Sequence, residues 1–202
     1  GDRRDAWQVL ANGGFPALAL ALGGPGALLA FAAGLAAAAA DTWATAVGAH
    51  SPSSPRHILR GTVVPTGTSG GVTPLGTGGA LVGAALVAVS ALPLVGGRGA
   101  AAIFLIGMGG MLLDSALGAG VQGRFHCERC DVSSERTVHR CGEATRPVGG
   151  LSLLSNDGVN ALASLATSVN SRSRVAGSSC LLSSSPSQSL RGSRMTQAAT
   201  TG

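Results

Sequence analysis

The sequence contains little charge and few aromatic side chains. Charged residues make up 11% of the 202 residues and aromatic residues 3%, and tyrosine and lysine are both absent. Two stretches have no charged residue: 35 residues between Asp5 and Asp41, and 37 residues between Arg60 and Arg98. Soluble domains rarely contain such long stretches without a charged residue, whereas a bilayer core requires apolar runs of roughly 20 residues. The composition therefore argues against a soluble domain and indicates a multi-pass integral membrane protein.

The missing lysine leaves arginine as the only strongly basic side chain. The net charge is +5, but the arginines lie in short connections between apolar runs. Such a distribution is better interpreted as membrane topology information than as a nucleic-acid-binding face, so we expect a lipid bilayer and no nucleic acid as partner.

Five apolar segments are predicted to form membrane helices. They cover residues 9–22, 27–47, 79–95, 100–121 and 151–169. Alanine and glycine dominate them, and small residues allow close helix packing in lipid. The predicted fold is all-α: a polytopic transmembrane helical bundle with a small cysteine-containing loop.

Arginine placement predicts the orientation of this bundle. Residues 1–8, 49–78 and 122–150 contain nine arginines, whereas the opposite turns contain only Arg98. Positively charged loops remain on the cytoplasmic side or its equivalent, so these three segments are predicted to face inward.

The predicted domain organisation is a membrane domain over residues 1–169, with an inner loop at 122–149. Residues 170–202 are rich in serine and arginine and lack apolar periodicity, so a disordered or aberrant tail is expected. The chain begins at Gly1, which is typical of a fragment or a processed product.

Three aspartates lie within or beside the apolar runs: Asp41, Asp114 and Asp157, the last preceded by Asn156. Acids in lipid are costly and usually functional. These residues could hold Mg²⁺ together with substrate phosphates, or they could bind Na⁺ or H⁺ in a transporter. A structural role in helix capping and interhelical hydrogen bonding is the third interpretation.

Four potential zinc ligands lie within fifteen residues: Cys127, Cys130, His139 and Cys141. A C-x-x-C turn brings two sulfurs together, and Zn²⁺ prefers four such ligands in a tetrahedron. The prediction is a structural zinc knuckle; the alternative is a redox-active pair with incidental thiols.

The segment 61–71 is rich in glycine and hydroxyl side chains. Its backbone N–H groups could bind an anion, with Arg56 or Arg60 neutralising phosphate charge. The predicted phosphate-binding residues are Arg56, Arg60, Gly67, Thr68, Ser69, Gly70 and Gly71. No lysine follows the glycines, so this is not a Walker A motif. A flexible connector is the competing interpretation.

Six short motifs occur in order along residues 3–169. They begin at Arg4, Asp41, Pro55, Gly67, Asp114 and Asn156 and read RDAWQVLANGG, DTWA, PR, GTSGGV, DSALGA and NDGVN. In these motifs the chain resembles the transmembrane protein 19 family, a family of unknown function that includes a phytyl-phosphate kinase of vitamin E synthesis.

The resemblance implies a membrane enzyme that acts on an isoprenoid monophosphate at the inner interface with a nucleotide donor. Asp41, Asp114, Asn156 and Asp157 are our candidate catalytic residues, assigned on physical grounds and not from the family. The alternative functions are an ion-coupled transporter and a noncatalytic membrane scaffold whose zinc knuckle recruits a partner.

Overall fold

The computed structural model describes residues 6–134, 137–151 and 158–169, and it is mostly helical. The helices are α1 (Ala6–Ala21), α2 (Ala27–Gly48), α3 (Pro74–Gly120) and α4 (Gly158–Val169). The predicted residues Asn156 and Asp157, and the tail at 170–202, lie outside the described residues.

The element α3 consists of two antiparallel helical segments that are joined by a sharp turn. Gly96 has φ 68° and ψ 175°, an extended backbone geometry that only glycine adopts readily. The two halves, 74–95 and 97–120, pack on each other in reverse order. Ala80 and Ala84 share a buried cluster with Met111, and Ala88 and Ala91 share another with Ile103. This hairpin corresponds to the third and fourth predicted segments.

The two halves of α3 both pack against α2 through small residues. A Cβ atom added to Gly79 would lie 2.7 Å from the carbonyl oxygen of Trp43, and one added to Gly83 would lie 2.8 Å from that of Ala39. On the second half, Gly107 lies directly against Ala36. Glycine is therefore required at these crossings because the backbones touch.

Large apolar side chains point outward from the bundle. Leu81, Val89 and Leu105 are 44%, 65% and 67% exposed, whereas the buried side chains of α2 are mostly alanine. A soluble helical protein places its large apolar residues inside. Within the described residues, α2 and α3 are both long and apolar enough to cross a membrane.

Helices α1 and α4 complete the bundle. Pro16 of α1 is fully buried and fills the space above Gly34 of α2. The Ser164 hydroxyl of α4 donates a hydrogen bond to the carbonyl oxygen of Asn12 at 3.2 Å. Thr167 of α4 lies against Gly110 of α3.

The expectation of an all-α protein is wrong in the connections, which contain strands. Strand β1 (Arg56–His57) pairs with β2 (Gly71–Val72), and β3 (Arg124–Cys127) lies between β4 (Val132–Ser134) and β5 (Arg146–Gly149) in an antiparallel sheet. Phe125 and Cys127 alternate with more exposed neighbours along β3. This period of two is the pattern of a half-buried strand, and it is too short to stand out in sequence.

Adjacent glycines in α3 provide a test of the close packing. We expect Gly79→Ala to lower the unfolding free energy by about 1–3 kcal/mol, because its methyl group would enter the α2 backbone. The control Gly78→Ala meets no atom within 4 Å and should stabilise the helix by up to about 1 kcal/mol. Denaturation of both variants in detergent measures the difference; equal stabilities would contradict this packing.

Candidate functional site

The helix ends on one side of the bundle enclose a cavity of about 820 Å³. Every helix contributes a polar residue to its lining, and the loop between β1 and β2 contributes further polar groups. The polar lining residues from the helices are Asn12, Asp41, Thr42, Thr45, Thr77, Asp114, Ser115 and Asn160. The cavity therefore combines groups that are distant in sequence.

Asp41 and Asp114 reach this cavity from facing helices. They are close enough to interact electrostatically. The Oδ1 atom of Asp114 is buried, and it accepts no hydrogen bond from the described residues. A buried carboxylate oxygen without a hydrogen-bond partner carries a desolvation penalty. We therefore expect this atom to contact water or a cation, or to carry a proton.

The glycine-rich loop is anchored at the rim of the cavity. The N–H of Ile58 donates to the carbonyl oxygen of Gly70 at 2.8 Å, and the Thr68 hydroxyl donates to that of Pro65 at 2.8 Å. Gly70 has φ 72° and packs directly on Ser115 and Ala119 of α3. A side chain at Gly70 would collide with α3, so the loop has a defined position and is not a free connector.

The predicted phosphate-binding residues divide into two groups. Residues 67–71 all line the cavity. Among the described lining residues, neither Arg56 nor Arg60 is present; both are exposed, and Arg56 donates from Nη1 to the carbonyl oxygen of Gly61 at 3.0 Å. The structure thus brings the loop to Asp41 and Asp114 but leaves these arginines outside the lining.

Gln122 is among the residues of the cavity wall that the sequence did not predict. Its side chain is only 3% exposed, and its Nε2 atom has no hydrogen-bond partner within the described part of the chain. A polar residue at the end of an apolar run is common at a membrane interface, so the sequence carries no signal that separates Gln122 from an ordinary helix end.

The predicted zinc ligands converge beside the small sheet. The ligand atoms of Cys127, Cys130, His139 and Cys141 all lie within 4.8 Å of one another. The sulfurs of Cys127 and Cys141 are 3.7 Å apart. Tetrahedral zinc with bonds of about 2.3 Å places two thiolates about 3.8 Å apart, so this donor set could hold a metal ion.

Hydrogen bonding within the cluster shifts the pKa values of two of its cysteines in opposite directions. A hydrogen bond with His139, helped by the backbone of Glu143, lowers the pKa of Cys141 to about 6. Hydrogen bonding with Cys141 raises the pKa of Cys130 to about 11. The lowered pKa of Cys141 favours its thiolate, the form that binds metals, while a bound cation deprotonates a thiol such as Cys130.

Comparisons with known proteins agree with the motifs and the bundle. Protein PGR from Arabidopsis thaliana is 31% identical over 141 residues, covering 63% of this chain and 48% of the relative, so the chain spans about half the length of that relative. No solved structure shows a significant match. Residues 1–168 match the family described as integral membrane protein DUF92, which confirms the resemblance. The chain is a member of the DUF92 family of integral membrane proteins.

Proposed function

We propose that this protein is a nucleotide-dependent kinase of an isoprenoid monophosphate, such as phytyl monophosphate, acting at the inner membrane interface. The observation that carries the proposal is the shared cavity, which an anchored glycine- and hydroxyl-rich loop lines together with Asp41 and Asp114. Phosphoryl transfer depends mainly on positioning and on charge stabilisation, and a fixed loop together with acids that could hold a cation can supply both.

The cavity can accommodate an amphiphilic substrate. Apolar side chains, including Val9, Leu35 and Leu112, line it together with the polar groups. An isoprenoid tail would pack along these side chains, and its phosphate would lie against residues 67–71 of the glycine-rich loop. An oxygen of that phosphate would attack the terminal phosphorus of the nucleotide. The bond between this phosphorus and the bridging oxygen would break. The nucleoside diphosphate would leave with the bridging oxygen and the electron pair of that bond.

Asp41 and Asp114 would hold Mg²⁺ in this reaction. Carboxylates are oxygen ligands of the kind Mg²⁺ requires, and the unpartnered Oδ1 of Asp114 fits such a role. When bound, Mg²⁺ neutralises charge on the donor phosphates. The predicted contributions of Asn156 and Asp157 lie outside the described residues and remain predictions.

We further propose that five membrane segments form the domain at residues 1–169. Each half of α3 is roughly 33–36 Å long at 1.5 Å per residue, enough to cross the hydrocarbon core. With the arginine-rich connections inside, the cavity would open toward the cytoplasmic face, where nucleotides are available.

The cysteine cluster would bind a structural zinc ion within the inner connection at 122–149. The fit rests on the four converging ligand atoms. The zinc would fix the turns that carry Cys130 and Cys141 against β3 and would take no part in phosphoryl transfer.

The kinase proposal is tested by incubating the purified protein with phytyl monophosphate, Mg²⁺, and CTP or ATP. We expect phytyl diphosphate, and we expect Asp114→Asn to reduce its formation by about 100-fold because a neutral amide holds Mg²⁺ less tightly than a carboxylate. The control is Asp131→Asn, an exposed acid outside the cavity lining that contacts His126 at 3.3 Å and whose φ of 53° asparagine tolerates; it should leave transfer unchanged.

Absence of transfer with any prenyl monophosphate would contradict the kinase proposal. Ion or proton flux into liposomes without transfer would instead favour the ion-coupled transporter. If the intact membrane protein has neither activity, the result would favour the noncatalytic scaffold.

Membrane topology is tested with single cysteines in a background that replaces Cys127, Cys130, Cys141 and Cys180 by serine. We expect Ser53→Cys and Arg98→Cys to react with a membrane-impermeant maleimide from opposite sides of sealed vesicles. In the proposed bundle one span, the first half of α3, separates these two positions. Labelling of both from one side would contradict the topology.

Zinc binding is tested by metal analysis of the purified chain. We expect stoichiometric zinc, lost in Cys127→Ser because that substitution removes a fully buried sulfur ligand. Cys180→Ser, in the segment 170–202, is the control and should retain the metal. A wild-type protein that is folded but free of zinc after purification without chelators would refute this assignment.

A further inference from the structure

The side chain of Gln122 is a buried hydrogen-bond donor that the bundle itself leaves unused. It is 3% exposed, it lines the cavity, and its Nε2 atom has no partner within the described residues. A Cβ atom added to Gly118 would lie 3.3 Å from Gln122 Oε1 and 3.5 Å from Ser69 Cβ. Gln122 therefore lies near the glycine-rich loop, on the same wall as the end of α3.

Hydrogen bonds hold the backbone at Gln122 in place. The N–H groups of Val121 and Gln122 both donate to the carbonyl oxygen of Leu117, at 2.9 and 3.2 Å. The carbonyl oxygen of Val121 in turn accepts the N–H of Leu151 at 2.9 Å, and Gln122 and Leu151 form a parallel bridge. The main chain of Gln122 is thus fixed between α3 and the cysteine-containing sheet, so its side chain starts from a defined position in the cavity wall.

The cavity contains complementary groups that do not pair with each other. Gln122 offers an unpaired donor and Asp114 an unpaired acceptor in the same lining. An unpaired donor and an unpaired acceptor in one buried space each carry a desolvation penalty. A ligand that lies between them removes both penalties if it accepts a hydrogen bond on one side and carries a cation on the other. A phosphoryl group has this chemistry.

We propose that Gln122 Nε2 donates a hydrogen bond to a phosphoryl oxygen of the isoprenoid phosphate in this cavity. This inference rests on the proposed function and adds a binding residue to it. The amide is neutral, so it orients the phosphoryl group without competing with Asp41 and Asp114 for a cation.

Ser168 provides a matched control. Its hydroxyl oxygen is also buried without a partner in the described structure, and Ser168 is 4% exposed, but it does not line the cavity. If an unpaired buried group affected binding only through stability, Ser168→Ala and a Gln122 substitution would behave alike.

The test measures dissociation constants of phytyl monophosphate, inorganic phosphate and phytol with detergent-purified protein. Gln122→Met keeps the shape and removes the donor, and Gln122→Glu replaces the donor by an acceptor. We expect Gln122→Met to weaken phytyl monophosphate binding by about tenfold, Gln122→Glu to weaken it further, and phytol binding to remain unchanged. Ser168→Ala should bind all three probes as the wild type does.

An equal loss for inorganic phosphate would assign the contact to the phosphoryl group independently of the lipid and would support the proposal. Unchanged phytyl monophosphate binding in Gln122→Met, or an equal weakening of phytol, would overturn it. Failure of the wild type to bind any phosphorylated probe would overturn this inference and the proposed function together. Wild-type binding that depends on Gln122 but leads to no phosphoryl transfer would overturn the proposed function alone.

Discussion

The architecture depends on direct backbone contact between α2 and the two halves of α3. In lipid, no hydrophobic driving force brings helices together, so association relies on close van der Waals packing and on hydrogen bonds. Gly79, Gly83 and Gly107 permit that approach, and alanine fills the remaining interface. Because α2 is shared by both halves of α3, the same contacts bring Asp41 of α2 to the cavity that Asp114 of α3 lines.

Much of this arrangement could be predicted from sequence. The apolar runs indicate the helices, and the glycine pair at 96 and 97 separates the third from the fourth. The ligand spacing at Cys127 and Cys130 predicts the cluster of three cysteines and a histidine that could hold a metal ion, because a C-x-x-C turn determines part of its geometry locally. The strands around it were not predicted, since strands of three or four residues are too short to establish a period.

Other features could not be predicted because they depend on tertiary contacts. Arg56 resembles a phosphate ligand in sequence, yet its guanidinium bonds to Gly61 within its own loop. Gln122 resembles an interfacial residue, but the bridge to Leu151 encloses it in the cavity wall. In both cases the environment of the side chain depends on an interaction between two residues that no periodic sequence pattern pairs.

The Gly96 turn also bears on how the chain enters the membrane. The two halves of α3 are adjacent in sequence and cover each other's small-residue faces, so they can insert together as a preformed helical hairpin. In the proposed topology, the guanidinium of Arg98 would be the charged group of this hairpin that passes through the hydrocarbon, since Asp114 lies toward the opposite end. The energetic barrier to insertion would then be concentrated in one side chain at the turn, and Asp114 would stay on the side from which the hairpin enters.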